Sequence, residues 1–140
     1  MTHGPALHVW LVDDDASIRW VMERALRQAG MDVRVFEEAE SAQAAFADGA
    51  PEVLITDIRM PGKSGLVLLD EVRHRHPELP VIVMTAHSDL DSAVAAYQGG
   101  AFEYLPKPFD IDTAVDLVRR AGRQSQPVPE DSGEAGRIPE

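Results

Sequence analysis

The sequence predicts an α/β fold, a doubly wound five-stranded parallel sheet with strand order 2-1-3-4-5, and three observations carry that prediction. Short apolar runs alternate with stretches of helical periodicity down to about residue 123. The runs are nearly continuous rather than alternating, as strands covered on both faces are. Four of them lead into a chemically active residue, which is where open α/β sheets keep their sites.

Leu7 to Val12 (LHVWLV) reads as the central first strand and runs into Asp13-Asp14-Asp15. Ile18, Val21, Met22, Ala25, Leu26 and Ala29 then recur at the spacing of one helix face, and Gly30 stands where that helix ends. Val33 to Phe36 is a second strand, Ser41 to Asp48 a short alanine-rich helix closed by Gly49 and Pro51, and Val53 to Thr56 a third strand terminated by Asp57. In that position Asp57 reads as an exposed edge carboxylate. Met60-Pro61-Gly62 turns the chain into a helix lined by Leu66, Leu68, Leu69 and Val72 that runs to His76, ahead of Pro77. Val81 to Met84 is the fourth strand and ends at Thr85. Asp89 to Gln98 is a short fourth helix striped by Leu90, Ala93, Val94 and Tyr97, with Ala95 and Ala96 on its remaining face and Gly99-Gly100 as its stop. Phe102 to Leu105 is the fifth strand, followed by Pro106-Lys107-Pro108. A last helix carries Ala114, Val115, Leu117, Val118 and Ala121 behind an Asp110 N-cap. Right-handed crossovers between five such units give the flavodoxin-like (βα)5 arrangement.

Of 140 residues, 24 are acidic and 13 are lysine or arginine, a net charge of −11, with lysine only at Lys63 and Lys107. This balance lacks the basic footprint that displaces counterions from DNA or RNA, so no direct nucleic-acid contact is expected of the chain. The absence of cysteine excludes disulfides, a thiolate zinc site and a cysteine nucleophile. With no leader pattern and no apolar run of membrane length, the reading is a soluble cytoplasmic protein without a membrane partner. Residues 1–125 read as one domain. Gln126 to Glu140 (QPVPEDSGEAGRIPE), with only Val128 and Ile138 as sizeable apolar side chains, reads as a disordered linker or tail.

The strand ends gather Asp13, Asp14, Asp57, Thr85 and Lys107 at one edge of the sheet. Carboxylates converging without cysteine or paired histidine suit a hard divalent cation, Mg²⁺ with Mn²⁺ as its substitute, which keeps waters and shares a phosphate. A carboxylate can then act as nucleophile toward a phosphoryl group, with the Thr85 hydroxyl and the Lys107 ammonium against its oxygens. Plainer roles compete, since adjacent aspartates also cap helices and a strand-ending aspartate is often only a turn residue. Solubility alone does not account for Lys107, one of two lysines and held between prolines.

LVDDD, LITDIRMPGKSG, VIVMTA and EYLPKPF, in order on strands 1, 3, 4 and 5, together resemble a two-component response-regulator receiver domain over about residues 7–123. DDDASIRWV and MTAHSDLDSAVAAYQGGAFEYLPKPFDID resemble more narrowly the receiver of the nitrogen regulatory protein C (NtrC) subfamily. The resemblance implies that Asp57 is the phosphoacceptor for a sensor histidine kinase. Asp13 and Asp14 become the metal-side acids, joined by the main-chain carbonyl of Arg59. Lys107 becomes the phosphoryl-contacting cation, and Thr85 and Tyr104 the switch pair. It also implies a cis bond before Pro108, Mg-dependent self-phosphorylation with slow self-dephosphorylation, and no turnover of an external substrate. Its further implications are phosphorylation-dependent dimerisation and a transcription-activating, nitrogen-regulation-like output through an ATPase domain approached by the helix 89–98 surface.

Two positions depart from the family pattern. The triple aspartate leaves a one-residue ambiguity, resolved by ending the strand at Val12 so that Asp15 begins the turn into the helix, as a cap or an outer acid. Lys63-Ser64-Gly65 stands where many receivers have Asp-Gly, placing a positive charge near Asp57.

An alternative is a haloacid-dehalogenase-type phosphatase, since Asp13 to Ser17 fits a DxDx(S/T)-like motif with Asp13 as nucleophile and Asp15 as general acid. It leaves no room for a cap and no role for Asp57. A flavin-binding electron carrier needs a Ser/Thr/Gly-rich phosphate loop after strand 1, which is absent. Gly62-Lys63-Ser64 does not end a P-loop, because the first glycine would fall on Asp57. His74 and His76, two apart on a helix, share no face, and His87 reads as a loop side chain. Trp10 and Trp20 read as packing residues.

Overall fold

Nearly continuous apolar strands need cover on both faces, and the helices supply it. The computed structural model describes residues 6–60, 62–86 and 88–125, so the expectation for 126–140 lies outside the described residues. In chain order these are β1 (His8–Val12), α1 (Ala16–Gln28), β2 (Asp32–Phe36), α2 (Ala39–Ala45) with a 3-10 turn at Phe46–Asp48, β3 (Val53–Asp57), α3 (Gly65–Arg75), β4 (Val81–Ala86), α4 (Leu90–Gln98), β5 (Glu103–Lys107) and α5 (Ile111–Ser125). The strands form one parallel sheet in the order β2-β1-β3-β4-β5.

The two-residue period of the strands divides the core. Val9, Leu11, Ile55, Ile82 and Met84 face Met22 and Leu26 of α1 and Leu117 and Val118 of α5. Trp10, Val12, Leu54 and Val83 face the other way, onto Ala42 of α2, Leu68 and Leu69 of α3 and Ala96 of α4. Each such large side chain removed from water contributes roughly 1.5–3 kcal/mol, so the two layers hold the strand ends in register.

Local chemistry sets the helix ends. The Asp15 carboxylate accepts from the amides of Ser17 at 2.8 Å and Ile18 at 3.3 Å, so of its two expected roles Asp15 takes that of the α1 cap. Gly30, at φ +89°, closes it in the left-handed region. Asp110 likewise accepts from the Asp112 amide at 2.9 Å ahead of α5.

Several elements differ from expectation, each for a tertiary reason. The predicted 41–48 helix is α2 followed by the tighter turn, because Gly49 and Pro51 leave it no room to continue. β3 includes Asp57, which pairs with Met84, and β4 extends through Thr85 to Ala86. β5 runs on through Pro106 to Lys107, since an edge strand tolerates a missing N–H donor. The α4 stripe is rotated: Ala93 and Ala96 face inward, whereas Leu90, Val94 and Tyr97 are 66%, 46% and 44% exposed. A short helix apolar on several sides has no single periodic face, and the space beneath it admits only small side chains. Even a Cβ at Gly99 would lie 3.1 Å from Leu69 Cδ2. Among the described residues no helix is long and apolar enough to cross a membrane.

Gly65 opens α3 hard against β3. A Cβ there would lie 2.0 Å from the Asp57 carbonyl oxygen and 2.9 Å from Ile58 Cα, both backbone atoms that cannot yield separately. Gly65→Ala should therefore cost about 3 kcal/mol in urea unfolding, although alanine is the better helix former by about 1 kcal/mol. A stability equal to or above that of the parent would contradict this packing.

Candidate functional site

Parallel register delivers the site residues to one edge. Val12 pairs with Thr56, Asp57 with Met84, Thr85 with Pro106 and Ala86 with Lys107. The next residues after β1, Asp13 and Asp14, therefore stand beside Asp57, with Thr85 and Lys107 on the far side. Carboxylate oxygens of Asp13, Asp14 and Asp57 all lie within 4.8 Å of one another. Asp13 is fully buried, Asp57 is 7% exposed and Asp14 is open to solvent. Asp57 is thus a buried group rather than the exposed edge carboxylate its position suggests, because Lys107 and the acids that follow β1 stand against it.

Two of these acids share one cation. Lys107 Nζ lies 3.0 Å from Asp13 Oδ2 and 3.2 Å from Asp57 Oδ1. The other Asp13 oxygen accepts the Asp15 amide at 2.9 Å, and the Asp13 carbonyl accepts from the Arg19 guanidinium at 2.7 Å. Burial pushes the Asp57 carboxyl up from 3.8 to about 6, and the Asp13 charge adds to the push against the pull of Lys107. Burial draws the Lys107 ammonium down, but its hydrogen bonds and charge contacts with Asp13 and Asp57 outweigh that and hold it above its usual range. Three carboxylates facing one ammonium leave a local excess of negative charge. A donor set of carboxylate oxygens, without sulfur or imidazole, fits a hard divalent cation.

Thr85 is 2% exposed, and its Oγ1 has no hydrogen-bond partner among the described residues. A buried hydroxyl left unpaired costs roughly 1–3 kcal/mol. Tyr104 lies on β5 with its ring edge-on to Tyr97 of α4 at 5.5 Å, and the Tyr97 phenol donates to Glu103. The peptide bond between Lys107 and Pro108 is cis.

The structure also shows side-chain contacts that the sequence did not single out. The Arg59 guanidinium turns to the Asp89 carboxylate at 2.8 Å, tying the loop after Asp57 to the N-cap of α4. Arg19 clasps the backbone of the acidic turn. Side-chain pairing between residues 30 apart leaves no periodic trace in a sequence, so only the opposite charges of Arg59 and Asp89 could have signalled it. Lys63, expected to add charge near Asp57, instead reaches Gln43 and Glu71 on the α2 and α3 side. His87 lies outside the described residues.

The family model for the response regulator receiver domain matches residues 9–119. The DNA-binding transcriptional regulator NtrC of Salmonella typhimurium is 65% identical over 113 residues, which cover 81% of this chain and 24% of the regulator. The chain thus spans about a quarter of the length of such curated relatives. The apo receiver domain of nitrogen regulatory protein C superimposes with TM-score 0.77 at 60% identity, covering 86% of this chain and 97% of that one. The BeF3-activated receiver domain of the same protein gives TM-score 0.74 at 62% identity, covering 85% and 96%. These matches overturn the phosphatase reading. They agree with the geometry, in which Asp13 is sealed from solvent and Asp15 is spent on capping α1. A shared fold, identity above one half and a family match over most of its length together place the chain among the response-regulator receiver domains, as a receiver of the NtrC type.

Proposed function

We propose that this receiver takes a phosphoryl group from the phosphohistidine of a sensor histidine kinase onto Asp57. The observation that carries the reading is the Asp57 carboxylate, held in one pocket with Asp13 and Asp14 and paired to Lys107. An Asp57 carboxylate oxygen attacks phosphorus, the P–O bond forming as the P–N bond to the donor imidazole breaks and its electron pair leaves with the ring. The Lys107 ammonium, anchored on Asp13, then follows the charge onto a phosphoryl oxygen, and the Thr85 hydroxyl donates to another. Mg²⁺, or Mn²⁺ in its place, would be held by Asp13, Asp14, Asp57 and the Arg59 carbonyl. It would neutralise the repulsion between these acids and the incoming group. Slow hydrolysis of the aspartyl-phosphate resets the switch, with no external substrate turned over.

Residues 1–125 act as the regulatory domain of a cytoplasmic transcription activator of the nitrogen-regulation kind. The net charge of −11 supports leaving DNA contact to other parts of such a protein. The output passes through α4 and β5 to an ATPase domain or a second receiver. Thr85, drawn toward the phosphoryl group, vacates space that the Tyr104 ring enters, and Tyr97 carries that shift to α4. Because Leu90, Val94 and Tyr97 already face solvent, the shift re-aims an exposed apolar surface rather than uncovering a buried one.

Intact mass after acetyl phosphate and Mg²⁺ should show one added phosphoryl group that maps to Asp57. The label should be lost in Asp57→Asn and in excess EDTA, and label on Asp13, or transfer undiminished by chelation, would overturn the assignment.

The raised Asp57 value also fixes a sign. With a folded value of about 6 against an ordinary 3.8, the native state binds more protons than the unfolded chain within that window. Its stability therefore falls as pH rises through the window. In EDTA, Asp57→Asn should be more stable than the parent by about 1–3 kcal/mol at pH 7.5, the gap closing as pH falls toward 4. A gap independent of pH would contradict the charge excess.

Beryllium fluoride with Mg²⁺ should alter amide signals from Thr85 to Tyr104 far more than those of α1, since such a mimic acts only by favouring the shifted state. Changes confined to the loop after Asp57 would place the output surface elsewhere.

A further inference from the structure

Residues 58–64 join β3 to α3, and backbone contacts fix both ends of this loop beside Asp57. The Gly65 amide donates to the Ile58 carbonyl at 2.9 Å, and Gly65 itself lies against the Asp57 carbonyl. The tip is held differently. Gly62, at φ +78°, turns the chain so that the Lys63 side chain leaves the acidic pocket and enters the cleft between α2 and α3. Its ammonium lies 2.6 Å from Gln43 Oε1 and 3.1 Å from Glu71 Oε2, and its side chain is only 25% exposed. The Lys63 amide donates to Glu40 Oε2 at 3.3 Å, and the same carboxylate oxygen lies 3.1 Å from where a Cβ on Gly62 would project.

Glu40 and Gln43 belong to α2 and Glu71 to α3, so one lysine ties the tip of the loop to both helices. A surface ion pair contributes little, but this side chain is three-quarters covered and its ammonium meets a carboxylate and an amide oxygen together. No member of the cluster is among the acids of the pocket or Lys107, and Arg59 lies within the loop that the cluster restrains. The two lysines thus divide the work, Lys107 inside the pocket and Lys63 on the far side of the segment that walls it.

We propose that Lys63 is a positioning residue for phosphoryl transfer: by clamping the 58–64 loop to α2 and α3 it holds the backbone after Asp57 where the divalent cation and the incoming group require it. The inference rests on the reading of Asp57 as acceptor. The loss is felt as a raised Mg²⁺ requirement, because an unclamped loop spends part of its time away from the cation-binding arrangement.

The test follows phosphorylation of the full chain by acetyl phosphate across a Mg²⁺ titration, read by intact mass. Lys63→Met keeps the aliphatic stem and removes the charge. It should raise the Mg²⁺ concentration for half-maximal rate by about 3- to 10-fold. The exchanged pair Lys63→Glu with Glu71→Lys should recover most of that loss. Amide exchange at residues 58–60 and 62–64 should quicken in Lys63→Met while α1 stays unchanged. Parental Mg²⁺ dependence in Lys63→Met, unchanged loop exchange, or a loss that the exchanged pair does not recover would each overturn the proposal. If the parent chain labels on Asp57 and Lys63→Met behaves like it, only the positioning role fails. If the parent chain does not label there, the acceptor reading fails with it.

Discussion

Lys107 reaches across the carboxyl edge of the sheet to two carboxylates, Asp13 and Asp57, which would otherwise repel each other at close range. A third, Asp14, stands beside them. One cation cannot balance three acids, and burial keeps water from Asp13 and Asp57, which is why Asp57 sits near 6 while Lys107 is held above its usual range. The pocket is therefore poised rather than settled. It is tolerable without a ligand and chemically completed only by more positive charge or by a group that uses the acids. The remainder of the fold serves that poise. The parallel register sets the acids and the lysine level, two apolar layers keep the register, and Arg19 fastens the turn that carries Asp13.

From the pocket, few contacts lead outward. Thr85, with its unpaired hydroxyl, sits one residue beyond the partner of Asp57, and its own partner Pro106 is flanked by Leu105 and Lys107. Tyr104 leans on Tyr97, while Arg59 reaches the N-cap of α4. That helix is seated through alanines and a close glycine rather than by large interlocking side chains. Small buried area leaves a helix more weakly anchored than one with large side chains in the core. α1 differs, because Met22 and Leu26 are fully buried in the core. The contrast in anchoring, more than any single bond, separates the part of the molecule suited to move from the part that holds still.

Much of this was legible in the residues themselves. Strand order, the carboxyl-edge gathering of Asp13, Asp14, Asp57, Thr85 and Lys107, and the capping by Asp15 and Asp110 follow from hydrophobic period, turn chemistry and the handedness of crossovers, all of them local or topological rules. What they could not decide were matters of which side and how deep. α4 has apolar residues around much of its circumference, so only the shallow bed against Leu69 selects Ala93 and Ala96 as its inner face. β5 passes through Pro106 because it is an edge strand, a status no single segment reveals. Asp57 is buried and raised in a pocket it shares with Asp13 and Asp14, which are remote from it in sequence. Lys63 turns from the pocket because Gln43 and Glu71 wait on two other helices. Periodicity and turn residues act within one element and are written in its sequence. Burial, pairing and charge coupling act between elements, and come into being only when the chain has folded.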